Sequence, residues 1–343
     1  MARKKKYTLE ELKKINEERD NNYKLNINEE YFLQNFNSFL SGIGNTFIQS
    51  NESPKLPVLF IVGTPRSGSS LLYQILANSN EFTYLSNFSA RFWEAPYIGL
   101  MLEKIMQVRE SVELSFTSDF GKTEDGLHSP HEVMYFWDKW FAHGQEEQEV
   151  PKEMLTQIDT QQFKKEVAAI EQVYNKPVLF KSQFWLTLQM DFLSKVFPNS
   201  LFISTSRNPI YVAQSIALGR KKILGDINKW WSIKPKEYHE LKNLHWSDQI
   251  IGQVFYTEKK MNESLKKLPD NRKINTSYQD LCSNPKEVLK ELETKFKKFG
   301  ISLELNNKQL RPFKVADNQK IDDSEFQSLI NSYQNFYKEE PNL

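Results

Sequence analysis

Leu56-Pro-Val-Leu-Phe-Ile-Val-Gly-Thr-Pro-Arg-Ser-Gly-Ser-Ser-Leu-Leu-Tyr-Gln-Ile-Leu-Ala-Asn78 decides how this chain folds. Val58 to Val62 is an unbroken apolar, partly β-branched run, the pattern of a strand buried on both faces of a parallel sheet. From Ser69 onward, Leu71, Leu72, Ile75 and Leu76 fall on one side of a helical repeat, so an amphipathic helix follows directly. Between them, Gly63 to Ser70 is a turn of small residues that opens into a helix N-terminus. Free backbone N–H groups and the helix dipole make that turn a place for an anion, and a phosphate is the expected one.

The glycine spacing from Gly63 to Gly68 is that of a nucleotide-binding loop, but Ser69 stands where an ATPase loop carries its lysine. The charge sits inside the loop instead, on Arg66, whose guanidinium can fork onto two phosphate oxygens. A second strand-to-helix unit follows at Leu201-Phe-Ile-Ser-Thr-Ser-Arg-Asn-Pro-Ile-Tyr-Val-Ala-Gln-Ser215. Asn208 reads as its N-cap and Pro209 as its first helical residue. An arginine leaving a strand, Arg207, and a serine two turns into the next helix, Ser215, can converge on one dianion.

Pro65-Arg66-Ser67-Gly68-Ser69-Ser70-Leu71 resembles the 5′-phosphosulfate loop of the sulfotransferases that use 3′-phosphoadenosine 5′-phosphosulfate. The 201–215 unit resembles that family's 3′-phosphate motif, with Arg207 and Ser215 at the matching positions. Tyr278-Gln-Asp-Leu281 resembles the family's Y-E-D-L segment near the adenine. The order of parts runs from Leu56 to about Pro285, and the arginine in the first loop is similar to the bacterial and carbohydrate-type branch. The resemblance implies an α/β fold, a parallel β-sheet flanked by helices in the P-loop NTPase-like arrangement. It implies a cofactor, 3′-phosphoadenosine 5′-phosphosulfate or the spent 3′-phosphoadenosine 5′-phosphate, held by Arg66, Ser67, Gly68, Ser69 and Ser70 at one end and by Arg207, Ser215 and Tyr278 at the other. The reaction implied is sulfuryl transfer to a hydroxyl or amine of a small-molecule, carbohydrate or lipid-like acceptor.

Two positions depart from the family. Aryl sulfotransferases carry a histidine two residues after the lysine of the third strand, and here Gln183 follows Lys181. Tyrosylprotein and some bacterial relatives carry a glutamate where Ser86 and Asn87 stand. An alcohol attacks sulfur well only as its proton leaves, so a base is needed. His128, His131 and Glu132 are the candidates, with Glu94 behind them. Ser129-Pro-His-Glu132 has the form of a helix start, with Ser129 as N-cap, Pro130 at the first position and Glu132 three residues after the cap. A helix N-terminus favours neutral imidazole, the form that accepts a proton. The competing accounts are a capping-box role for Glu132 and a plain surface role for His131. In-line displacement is the expected mechanism, with Arg66 and the loop amides on the leaving phosphate and Lys181 as a further donor or else a solvated surface lysine. None of the five histidines shows metal-ligand spacing, and no metal is expected.

At 343 residues the chain suffices for one large α/β domain, 51–343, behind a helical N-terminal extension, 1–50. The extension opens with Thr8 and Glu11 in a capping-box pattern, and Tyr31 to Phe47 is expected to pack on the main sheet. A net charge of +1 gives no general drive toward nucleic acid or anionic membrane, and the lysines and tryptophans of 218–246 lack a wider basic field. The single cysteine, Cys282, reads as a packed residue and excludes an internal disulfide framework. No apolar run reaches the roughly 18–20 residues of a membrane span, and no hydrophobic core follows the basic N-terminus as in a secretory signal. A cytoplasmic protein is expected. The aromatics Phe82, Tyr84, Phe88, Phe92, Trp93 and Tyr97 line the acceptor pocket in relatives, or else fill core. Arg311 to Lys320 is expected to cover the cofactor. The rival functions are a P-loop kinase or NTPase and an inactive nucleotide-binding relative, the latter permitted by Gln183 and Asn87. Oligomeric state stays open.

Overall fold

A computed structural model describes residues 7–48, 53–107, 116, 118–119, 122–123, 126–142, 145–305 and 310–342. The basic residues Arg3 to Lys6 and residues 49–52 lie outside them. A helix spans Pro96–Ile105, and residues 108–115 also lie outside.

Five strands form one parallel sheet: β1 (Leu59–Gly63), β2 (Thr83–Tyr84), β5 (Val178–Lys181), β6 (Leu201–Ser206) and β7 (Lys273–Ser277), in the order β2-β5-β1-β6-β7. A small antiparallel pair, β3 (Ser118–Asp119) and β4 (Lys122–Thr123), stands apart. β1 is central, with Leu59 level with Leu179 on one side and Leu201 on the other. Because side chains alternate across a strand, the continuous apolar run of β1 serves both faces. Leu59 and Ile61 join Leu179, Ile203 and Ile274 under the Ser69–Asn78 and Pro285–Lys298 helices. Val58, Phe60 and Val62 face the other way, where Phe60 stacks on Phe180 at 6.0 Å and on Phe202 at 5.2 Å. Each such buried side chain is worth about 1.5–3 kcal/mol, so this three-ring row locks the register of β5, β1 and β6.

A third cluster joins Ile210 and Ile216 of the Pro209–Leu224 helix to Ile250 and Val254 of the Trp246–Lys267 helix and Leu329 of the Asp323–Tyr337 helix. The capping box at Thr8 forms as read. The Ile27–Ile43 helix, however, docks on the 89–94 segment and not on the sheet. Phe36 packs edge-on to Phe92 at 5.4 Å, Asn37 donates to the Arg91 carbonyl, and Glu30 accepts from the Tyr135 hydroxyl. Helices of the following chain cover the sheet, so this layer buries against their outer side.

Candidate active site

The carboxyl ends of β1, β5 and β6 open into one cavity of about 400 Å³. Pro65, Arg66, Gly68, Ser69 and Ser70 form its floor. Arg207, Tyr278 and Ser215 stand on one side, and Lys181, Glu132 and Gln183 on another. The two arginines singled out by sequence therefore open onto the same space, and Arg207 Nη1 donates to the Arg66 carbonyl at 3.0 Å.

The loop after β1 is tied down from below. Ser67 Oγ donates to the Thr64 carbonyl at 2.7 Å and lies 2.7 Å from Thr205 Oγ1 of β6, all fully buried. Its hydroxyl is spent on the scaffold, and Ser67 is absent from the cavity wall formed by the described residues. Gly68, at φ 93°, caps the Ser69–Asn78 helix in the left-handed region, and a Cβ on it would come within 2.7 Å of Tyr278 Cδ2. Only glycine meets both demands. The left-handed Arg66 (φ 68°) turns its side chain toward the next unit, where Nε donates to Ser215 Oγ at 2.9 Å. Sequence assigned these two residues to opposite phosphates, and the fold makes them neighbours.

Arg207 leaves β6 under restraint. Its Nε donates to Asp317 at 2.7 Å, its Nη2 to the Ala316 carbonyl at 3.1 Å, and its guanidinium lies 4.4 Å from the centre of the Tyr278 ring. Asn208 accepts from the Ile210 N–H and Pro209 opens the helix, the arrangement read from sequence. Arg207 and Tyr278 also border a second cavity of about 330 Å³ that holds Asp317. From the C-terminal segment, Phe313, Lys314, Ala316 and Lys320 reach the main cavity. Lys314 and Lys320 had no motif to mark them, since a lone lysine in a polar stretch is an ordinary surface residue.

The Ser129–Glu132 stretch departs from its expected form. No helix begins at Pro130. The segment runs extended beside the chain at Leu85–Asn87, with Asn87 N–H donating to the Ser129 carbonyl, His131 N–H to the Leu85 carbonyl, and a bridge between Ser86 and Pro130. The helix starts at Met134, after Val133 at φ 48°. A β-branched residue in that region costs of order 1–3 kcal/mol. It is held there by burial and by His131 Nδ1, which accepts from the Val133 N–H at 2.8 Å. The pairing with Leu85–Asn87 and the kink replace the expected cap, so Glu132 has no capping-box partner. Its carboxylate binds Lys181 Nζ, which also donates to Ser70 Oγ at 3.0 Å. Lys181 is only 2% exposed, not a solvated surface lysine, and burial pushes its pKa down while Glu132 opposes the shift.

His131 stands outside the cavity wall formed by the described residues, as does His128. Desolvation by neighbouring protein lowers the His131 pKa, with Glu132 opposing and Lys181 and Arg91 assisting, although the residue is exposed overall. Its geometry is that of a prop for the Val133 turn. Glu94 is also outside, 3.7 Å from Lys139. Ser86 donates to the buried Glu103 carboxylate, while Glu132 enters from the segment alongside it. Gln183 is 6% exposed and lines the cavity, and its Nε2 has no hydrogen-bond partner among the described residues.

The aromatics of 82–97 take the core alternative. Phe82, Tyr84, Trp93 and Tyr97 are buried in packing, and neither they nor Phe88 and Phe92 reach the cavity. Its apolar wall comes from Phe116, Phe184, Leu218, Trp231 and Phe313. Among the described residues, no group of three or more His, Cys, Asp or Glu is placed to hold a metal, and no helix is long and apolar enough to cross a membrane.

A family model described as the Sulfotransferase family matches residues 57–297. Over 252 residues the chain is 23% identical to omega-hydroxy-beta-dihydromenaquinone-9 sulfotransferase Stf3 of Mycobacterium bovis, and equally to that of Mycobacterium tuberculosis. These matches cover 69% of this chain and 61% of the relatives, so the chain spans about three fifths of their length. Among solved structures, sulfotransferase STF9 from Mycobacterium avium matches with a TM-score of 0.54 at 12% identity, covering 95% of this chain and 88% of that one, a likeness of fold.

Proposed function

The chain belongs to the sulfotransferase family, and we propose that it transfers a sulfuryl group from 3′-phosphoadenosine 5′-phosphosulfate to the hydroxyl of an apolar, lipid-like acceptor. The single observation that carries this reading is the meeting of both arginine motifs with the Ser70–Lys181–Glu132 chain in one cavity. Two features support the fit of a polyanionic donor. Among the described residues, Arg66, Arg207, Lys181, Lys314 and Lys320 line the cavity against one carboxylate, Glu132, and the buried Nε2 of Gln183 is a donor in want of an oxygen. The lipid-like acceptor rests on the apolar wall and on the name of the Stf3 relatives.

Bound there, the donor supplies an activated sulfuryl group on a phosphate leaving group. Ser69, Ser70, the first amides of their helix and Arg66 hold the 5′ end, while Arg207, backed by the Tyr278 ring, and Ser215 hold the 3′-phosphate. Glu132 takes the acceptor proton. The Lys181 ammonium, kept in a water-poor site, would stabilise charge on the oxygen that leaves, and Gln183 Nε2 would be free to donate to an oxygen of the bound donor. We take 51–343 as the catalytic domain, 1–50 as its extension and the cytoplasm as its location.

Thermal shift with 3′-phosphoadenosine 5′-phosphate, ATP and AMP tests the donor. The bisphosphate should stabilise the protein most, and a preference for ATP would overturn the reading. Mass spectrometry of a lipid extract treated with enzyme and donor then identifies the acceptor from the gain of a sulfuryl group.

A further inference from the structure

Gly219 lies inside the Pro209–Leu224 helix, where glycine is a poor helix former. A Cβ on it would stand 2.5 Å from Trp231 Cζ3 and 2.9 Å from both Cε3 and Cη2, so the six-membered part of the indole lies directly on the helix backbone. The main chain of Trp231 is fixed by Gln253, fully buried in the neighbouring Trp246–Lys267 helix, whose Nε2 donates to the carbonyls of both Trp231 and Ile233. Ser232 follows in the left-handed region at φ 76°.

Trp231 and Ser232 line the main cavity together with Leu218 and Ser215 of the helix beneath them. Along that helix, the polar grip ends at Ser215, where Arg66 donates, and less than one turn further the wall turns to Leu218 and the indole. We propose that Trp231, seated on Gly219, is the wall that sets the width of the acceptor half of the site. It offers a flat apolar face to an unbranched chain or a planar aromatic ring and excludes thicker, puckered rings beside the reacting hydroxyl. The proposal rests on the sulfotransferase reading above and adds to it the residue that selects acceptors.

The test is equilibrium binding of octanol, cyclohexanol and naphthol to full-length protein saturated with 3′-phosphoadenosine 5′-phosphate. Trp231→Ala should raise the affinity for cyclohexanol relative to octanol by at least about tenfold, the scale on which pocket shape discriminates apolar ligands, with nucleotide affinity unchanged. Gly219→Ala should displace the indole into the cavity and weaken all three alcohols by about tenfold or more. In the Trp231→Ala background the same glycine change should have no effect on them, because its Cβ then meets no ring. An unchanged ranking of alcohols, a loss of nucleotide affinity on Trp231→Ala equal to any loss for alcohols, or no alcohol binding by any variant overturns the wall. Failure of the unaltered protein to bind the nucleotide overturns the underlying reading instead.

Discussion

The two charged ends of the cavity are built by opposite means. The floor is a short turn built mainly from its own residues: a strand stops at Gly63, a helix starts at Ser69, and Ser67 and Gly68 fix the turn between, with Thr205 and Tyr278 closing on it. The reacting side is assembled from pieces that share no local structure. Glu132 sits on an extended segment and Lys181 at a strand end 49 residues later, and they meet because the segment pairs with Leu85–Asn87 and then kinks at Val133. A turn of the first kind tolerates changes outside it, since its donors are main-chain groups. A pair of the second kind fails when either partner or the prop between them is altered.

The sharpest way to break this contrast is at Glu132. Glu132→Gln should lower turnover by about 10²–10⁴-fold, the range of a lost general base, while affinity for 3′-phosphoadenosine 5′-phosphate by calorimetry stays close to that of the unaltered protein. Turnover that survives the change moves the base elsewhere and removes the functional half of the comparison.

Arg207→Ala comes next. A buried, hydrogen-bonded charge truncated from its pair costs about 2–5 kcal/mol, so the bisphosphate should bind roughly 10²-fold more weakly, and AMP much less so. Equal losses for both nucleotides would take Arg207 off the 3′-phosphate. Gly68→Ala probes the floor itself. The left-handed backbone and the close approach of Tyr278 together should weaken nucleotide binding by roughly tenfold, at about 1–2 kcal/mol of strain, and an unaffected titration would mean the loop is softer than its bonds imply.

The smallest effects separate props from chemistry. His131→Ala removes the acceptor for the Val133 N–H and should cost about 1 kcal/mol of stability, with a fall in turnover well short of that for Glu132→Gln. If the two variants lose turnover alike, His131 takes part in the proton transfer. Ser67→Ala should lower the melting temperature through the loss of about 1 kcal/mol of buried hydrogen bonding and leave the ratio of bisphosphate to AMP affinity unchanged.

The misreadings have a common origin. Ser129-Pro-His-Glu has the spacing of a capping box, and sequence cannot show that the Leu85–Asn87 segment competes for the same backbone groups and wins. The aromatics of 82–97 are no misreading but an open alternative, because a ring packed against Phe296, as Phe82 is, has the same composition signal as one facing a ligand. Trp231 was visible only as one member of a Lys- and Trp-rich stretch. What singles it out is Gly219, twelve residues earlier, on which it rests.

The sequence by itself determined the strand–turn–helix units, the two arginines and the parallel sheet, because apolar runs, helix repeats and N-terminal anion sites are properties of neighbouring residues. The tertiary structure decided which carboxylate faces Lys181, which serine hydroxyls remain for a ligand, and which rings wall the cavity. Those outcomes depend on contacts between distant segments, where burial and competing hydrogen bonds are settled only once the whole chain has packed.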